Sequence, residues 1–165
     1  MVTSTPTHAI NLVWDLATLQ QAIAADPEQW RPLVFTNGCF DLLHVGHIRY
    51  LQAAKALGKT LVIGLNSDSS VQALKGASRP IVPQSQRAEM LAALKSVDGV
   101  VIFAETTASN LLLALKPDIY VKGGDYAPNT LPEMPAVEAV GATLRLIQIE
   151  IPTSTSQIIA RIRQQ

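Results

Sequence analysis

One cysteine, Cys39, stands in a chain of 165 residues, and a single thiol can neither close an internal disulfide nor build a zinc site by itself. That agrees with a reducing compartment, and a cytoplasmic location is expected. An excess of either charge is also missing: 13 Lys plus Arg balance 13 Asp plus Glu. No global field therefore draws the chain to nucleic acid or to an anionic membrane, and an anionic ligand must be met by cations gathered locally. The opening MVTSTPTHAINLVWD has neither a basic leader nor an apolar core segment, and no run elsewhere is long and charge-free enough to span a bilayer. Internal repeats, low-complexity linkers and a cluster of carboxylates fit to cage a metal are lacking as well.

A chain of this length holds one domain with a sizeable core and is too short for two ordinary ones. Residues 1–32 read as an N-terminal tail and helix packed on a domain that covers 33–165. Residues 1 to about 12 are expected to fray, and WDLATLQQAIAADPEQW has helical periodicity up to the Arg31-Pro32 pair. Trp14 and Trp30, on this appendage, suit packing anchors better than base-stacking platforms. Beyond it, the β-branched runs LVFTNG, TLVIGLN, GVVIFA, DIYVKGG and TLRLIQI alternate with amphipathic stretches such as HIRYLQAAKALG and SQRAEMLAALKSV. Five strands separated by helices predict an α/β fold, a Rossmann-like doubly wound five-stranded parallel sheet. Its ligand should lie outside the carboxyl ends of the strands, where the strand order reverses. The strand-end loops NGCFDLLHVGH, NSDSS, KGGDY and IPTSTS hold the unusual residues, and KGASRPIVPQSQ is a Pro-containing loop long enough to move.

In HVGH, His44 and His47 are three residues apart where a helical pattern begins, so both imidazoles lie on one side of the first turn. A helix N-terminus offers unpaired N–H groups and a partial positive charge, and two imidazoles add donors that can follow charge as it develops. A polyphosphate is the natural ligand, and Gly46 lets a phosphate or a base approach the backbone with no Cβ between. Taken alone, such a pair can also be two surface histidines, and a zinc site would need further ligands that are not nearby. The preceding strand and the GCFD turn favour the ligand.

GCFDLLHVGHIRYL resembles the G-x-F-D-x-x-H-x-G-H signature of the cytidylyltransferase-like nucleotidyltransferases, in the same place after the first strand of the domain. LNSD, LKGASRPIVPQSQR, VKGGDY and TSTSQII match further family segments in order, from about Leu33 to Arg163. Within the family, FTNGCFDLLH, NSD and VKGGDY look most like the branch that adenylylates heptose 1-phosphate on the way to bacterial lipopolysaccharide, in its stand-alone form without a fused kinase. The resemblance implies transfer of AMP from ATP to the sugar 1-phosphate with release of pyrophosphate, Mg²⁺ arriving with ATP, a homodimer, and neither nucleic acid nor membrane as partner. The residue types agree: a phosphate monoester is already an anionic nucleophile at neutral pH. The chemistry then asks for in-line positioning and charge stabilisation, not for an activated serine or cysteine.

On that resemblance, His44, His47 and Lys75 are the expected catalytic donors and cations. Asn37, Gly38, Cys39, Phe40, Gly46, Lys122, Gly124, Asp125, Ser154, Thr155 and Ser156 are expected against the nucleotide, and Asp41, Arg79 and Arg87 against the substrate, with no metal-ligand set from the protein. Lys75, Arg79 and Arg87 lie in or beside the Pro-containing loop and could close over the phosphates as a lid. Lys122, at a strand end, would be costly to bury without an anion. Asp125 could meet ribose hydroxyls or the base edge, and Asp41 could orient His44 or its own loop. Ser154 to Ser156 are also good helix N-caps, Asp68 suits a cap better than a metal, and Cys39 suits a packed position better than a reactive thiol. The alternative substrate set is glycerol 3-phosphate, or another phosphorylated alcohol, with CTP. Against it stand QIEIPTSTS, which lacks an arginine before the closing motif, and Gly123-Gly124-Asp125 in place of G-D-D. A nucleotide-binding module without turnover is the alternative of another class.

Overall fold

The computed structural model describes residues 12–124, 130–148 and 153–164. Val13–Trp14 (β1) precedes the helices Leu16–Ala25 (α1) and Pro27–Trp30 (α2). Then come Leu33–Gly38 (β2), Val45–Lys55 (α3), Thr60–Asn66 (β3), Asp68–Lys75 (α4), Gln84–Ala92 (α5), Gly99–Phe103 (β4) and Ser109–Leu115 (α6). Ile119–Gly123 (β5), Met134–Val140 (α7), Thr143–Ile147 (β6) and Thr155–Arg163 (α8) complete the described elements.

The strands pair in parallel in the order β1-β4-β3-β2-β5-β6. From β2 the chain winds outward through β3 and β4, then crosses back to β5 and β6 on the other side. The order therefore reverses between β2 and β5, which places the ligand crevice at their carboxyl ends. The class is the expected one, but the sheet has six strands instead of five. Val13 and Trp14 pair with Val100 and Val101 at the edge beyond β4, inside the segment expected to fray and then turn helical. Two residues are too few to display the period of two by which a strand is recognised. The helix starts after Asp15, whose carboxylate accepts the Thr18 N–H at 2.9 Å, and it breaks at Asp26, which caps α2 through the Gln29 N–H at 3.0 Å with Pro27 at the first position.

Alternation divides the core into two layers. Leu33, Phe35, Val62, Val101 and Tyr120 pack with α1, α6 and α7, whereas Val34, Ile63, Val100 and Val121 pack with α3 and α5. Trp14 meets Trp30 edge to face in the first layer, with centroids 6.0 Å apart. Both act as packing anchors at the amino ends of the strands. One consequence of the period reaches the site. Asn37, Asn66 and Lys122 stand two residues beyond Phe35, Gly64 and Tyr120, so all three project on the α6/α7 side at the carboxyl edge.

Candidate active site

β2 gives way to α3 through a compressed turn. Phe40 has φ 43°, and a Cβ on Gly38 would lie 3.0 Å from the Phe40 ring. A non-glycine residue in the left-handed region costs about 1–3 kcal/mol and persists only where its surroundings dictate it. Burial of the Phe40 ring, 5.2 Å from that of His47, supplies the constraint. His44 is the N-cap of α3: its Nδ1 accepts the Gly46 N–H at 3.2 Å. Nδ1 thus carries no proton, and the neutral ring holds its hydrogen on Nε2. The same bond occupies the Gly46 N–H, which is therefore not left for a phosphate. The His44 and His47 rings stack with centroids 3.9 Å apart at 28°. Burial, assisted by His44 and Lys75 and opposed by the Leu42 backbone, pulls the pKa of His47 down to about 4, and burial lowers that of His44 as well. At neutral pH His47 is an uncharged imidazole, with Nδ1 buried and lacking a hydrogen-bond partner.

The Pro-containing loop is held in place by two residues expected against the substrate. Asp41, 1 % exposed, takes Arg79 Nε at 2.6 Å and the N–H groups of Ile81 and Val82 at 2.8 and 3.0 Å. Burial pushes this carboxyl up, but Val82, Arg79 and Ile81 outweigh it and hold its pKa below the usual value. Asp41 orients the 79–82 loop and makes no bond to His44, and its oxygens are committed. Arg87 is fully buried. Its guanidinium donates to the carbonyls of Val82 (2.8 Å), Cys39 (2.6 Å) and Asn66 (2.8 Å) and to the Asp68 carboxylate (2.7 Å). It is a strap between the carboxyl ends of β2 and β3 and α5, and so cannot be a lid cation. Asp68 also accepts the Gln84 N–H at 2.8 Å and thereby caps α5, while Ser67 caps α4. Replacing Asp41→Asn should loosen the loop, so that trypsin cuts after Lys75 at least about tenfold faster than in the parent protein, as each 1.4 kcal/mol of lost closure is tenfold in the open population. Timed digestion followed by mass spectrometry reads this, and an unchanged rate would mean that Asp41 is not the latch.

A cleft of about 430 Å³ opens at the point where the strand order reverses. His47, Phe40 and Lys75 line one side of it, with Thr155 of α8, whose hydroxyl donates to the Leu42 carbonyl at 3.3 Å. Below them, Tyr50 bonds Thr36 Oγ1 at 2.6 Å and the Val121 carbonyl at 3.1 Å, which ties α3 to β2 and β5. Asn37, Asn66, Thr106, Lys122 and Glu133 line the other side. Lys122 is largely buried and has its anion within the protein: Nζ lies 3.6 Å from Glu133 Oε1 and 5.7 Å above the Tyr120 ring. Burial lowers its pKa while Glu133 raises it.

Gly38, Cys39 and Asp41 also line the cleft, whereas His44, Gly46, Gly124, Arg79, Arg87, Ser154 and Ser156 do not. Gly124, at φ 107°, donates its N–H to Ile147 at 3.1 Å, and Ser154 is spent in a capping box with Gln157. Asp125 lies outside the described residues. Among the cleft residues that sequence reasoning passed over, Asn66 had a signal: like Asn37, it ends a strand on the same side of the sheet. Glu133 follows a loop distant in sequence and carried none. Among the described residues no group of three or more His, Cys, Asp or Glu could hold a metal, and no helix is long and apolar enough to cross a membrane.

Comparison with known proteins is consistent with this geometry. Residues 35–162 match the family model described as cytidylyltransferase-like. The bifunctional protein HldE of Syntrophotalea carbinolica is 49% identical over 145 residues, 88% of this chain and 30% of that protein. HldE of Geobacter sulfurreducens is 47% identical over 150 residues, 91% of this chain and 31% of the relative. The chain thus spans about 30% of the length of these curated relatives. A solved lipopolysaccharide core biosynthesis protein from Thermoplasma volcanium superposes with a TM-score of 0.57 at 30% identity, covering 73% of this chain and 97% of its own. The pantoate-beta-alanine ligase of Francisella tularensis shares the fold, with a TM-score of 0.58 at 13% identity over 92% of this chain and 77% of its own. With the signature turn, the histidine pair and the sheet order all in register with a match over most of its length, the chain belongs to the cytidylyltransferase-like family.

Proposed function

We propose that the chain is a nucleotidyltransferase that moves AMP from ATP to heptose 1-phosphate, giving ADP-heptose and pyrophosphate for the lipopolysaccharide core. One observation carries the reading: the stacked His44 and His47 at the start of α3, beside the crevice where the strand order reverses, with Lys75 on the same side as His47. In the reaction a phosphate oxygen of the sugar phosphate attacks the α-phosphorus of ATP in line, and the bond to the bridging oxygen breaks, its electron pair leaving with pyrophosphate. His47 enters neutral and donates an N–H. The incoming triphosphate favours its protonation, so the donor strengthens as negative charge builds up on the phosphates. Lys75 neutralises the leaving pyrophosphate.

Mg²⁺ fits as an ion carried by the nucleotide. The carboxylate oxygens of Asp41 are committed to the loop and no group of three or more His, Cys, Asp or Glu gathers among the described residues, so the triphosphate and water would hold it. When bound it would neutralise charge on the phosphate oxygens. The HldE relatives and the Thermoplasma protein support the heptose acceptor. A homodimer and residence in the cytoplasm belong to the same proposal.

Pyrophosphate release is to be measured with ATP and with CTP, each with Mg²⁺ and with heptose 1-phosphate or glycerol 3-phosphate. Release with ATP and heptose 1-phosphate alone is expected. Release with CTP and glycerol 3-phosphate would overturn the substrates, and nucleotide binding without release from any pair would point to a module that has lost turnover.

A further inference from the structure

Strand alternation leaves the α6/α7 side of the cleft with a chemistry of its own. Asn37, Asn66 and Lys122 project there, opposite the histidines, and Glu133 joins them from the start of α7. Glu133 is 3% exposed. Its Oε1 is accounted for, 3.6 Å from Lys122 Nζ and 3.4 Å from the Ala108 N–H that it accepts. Its Oε2 is buried in the cleft wall with no donor. A buried carboxylate oxygen without a donor is costly, and such an exception calls for a function.

The surroundings select the kind of donor that would complete it. Lys122 offsets the charge of Glu133, so this half of the cleft is close to neutral, and a phosphate beside Oε2 would face a carboxylate at short range. The neighbours are two amides and the Thr106 hydroxyl. Asn37 accepts the Tyr120 hydroxyl on Oδ1 at 2.8 Å, which leaves its two N–H groups as donors. Neutral donors and acceptors around one buried carboxylate suit a chain of hydroxyl groups, each able to donate once and accept as well. On the proposed function the triphosphate lies along His47 and Lys75 on the other side, so the facing hydroxyls are assigned to the acceptor, and the KM for ATP separates them from the ribose hydroxyls of the nucleotide.

We propose that Glu133 Oε2 accepts a hydrogen bond from a hydroxyl of the acceptor, which makes Glu133, steadied by Lys122, a specificity-determining residue for a polyhydroxylated acceptor phosphate. The inference rests on the nucleotidyltransferase reading and specifies its acceptor subsite. The test is steady-state pyrophosphate release by the parent protein and by Glu133→Gln, with saturating ATP and either heptose 1-phosphate or a series of analogues each lacking one hydroxyl. Loss of a bond to a charged acceptor should raise the KM for heptose 1-phosphate about 10- to 100-fold in Glu133→Gln, with the KM for ATP within about twofold. One analogue should suffer a similar loss with the parent protein and little more with the variant. A rise in the KM for ATP, a loss confined to kcat, or equal losses for all analogues would overturn the inference while the parent protein's turnover left the reaction standing. The analogue series needs no variant to fold: if no single hydroxyl costs the parent protein tenfold, the subsite is wrong. A parent protein silent with heptose 1-phosphate would instead overturn the reaction itself and the acceptor subsite with it.

Discussion

His47→Ala is expected to lower kcat by about 100- to 1,000-fold with the fold intact, the cost of removing one preorganised donor from a developing oxyanion. The imidazole touches the Phe40 and His44 rings and lines the cleft, and its Nδ1 has no hydrogen-bond partner to lose. Its titration should be as distinctive as its kinetics. In NMR the His47 ring is expected to titrate near the value of about 4 set first by burial, and to move upward when ATP binds, because an adjacent anion favours the protonated form. A stability signature follows from the sign of the shift. The unfolded chain binds a proton at His47 around pH 6.5 and the folded chain does so only near 4. The stabilisation is therefore complete above 6.5 and is lost as the pH falls between those values. By pH 5 it has lost about 2 kcal/mol, or 1.4 kcal/mol per unit. Urea midpoints at pH 7.5 and pH 5 should thus separate more widely for the parent protein than for His47→Ala. An equal separation, or kcat within threefold of the parent, would remove His47 from the place given to it here.

The parts of this arrangement that could be read from the sequence share a physical character. β2 to β6, and the helices that follow β2, β3 and β4, announce themselves through periodicity, and the histidine pair through its position after a strand and a GCFD turn. β1 escaped because a two-residue edge strand has no period to display, and its pairing partners, Val100 and Val101, lie far along the chain. The partners of Arg79 and Arg87 were hidden for a related reason. Three cations in or beside one loop, Lys75 among them, have the same composition whether they face a ligand or their own backbone. Only the fold shows that Asp41 takes Arg79, and that Arg87 is aimed at the carbonyls of Cys39 and Asn66. Glu133 is legible only in three dimensions, as its relevance comes from Lys122 and Ala108, which reach it from other elements.

Arg87→Met should be strongly destabilising. The side chain keeps its length but withdraws every donor, so three backbone carbonyls lose the guanidinium together and the Asp68 carboxylate keeps only the Gln84 N–H. Asp68 is partly exposed and can turn to water, whereas Arg87 itself is fully buried, and the Asn66 carbonyl it serves lies in a buried contact. Breaking one partner of a buried charged network costs about 3–5 kcal/mol, and at about 2–4 °C per kcal/mol for a domain of this size Tm should fall by about 10 °C. Arg87→Lys should lie between the two, because an ammonium presents three donors from one point and cannot span four acceptors spread across β2, β3, α4 and the loop. The effect on binding should differ in kind from that of His47→Ala. Cys39 and Asn66 line the cleft, so loss of the strap should raise the KM for both substrates even at temperatures where the variant is fully folded. Calorimetry and steady-state kinetics at 15 °C check both halves. A Tm within 2 °C of the parent would show that the carbonyls find other donors, and a lowered Tm with unchanged KM values would show that the strap stabilises the sheet without shaping the cleft.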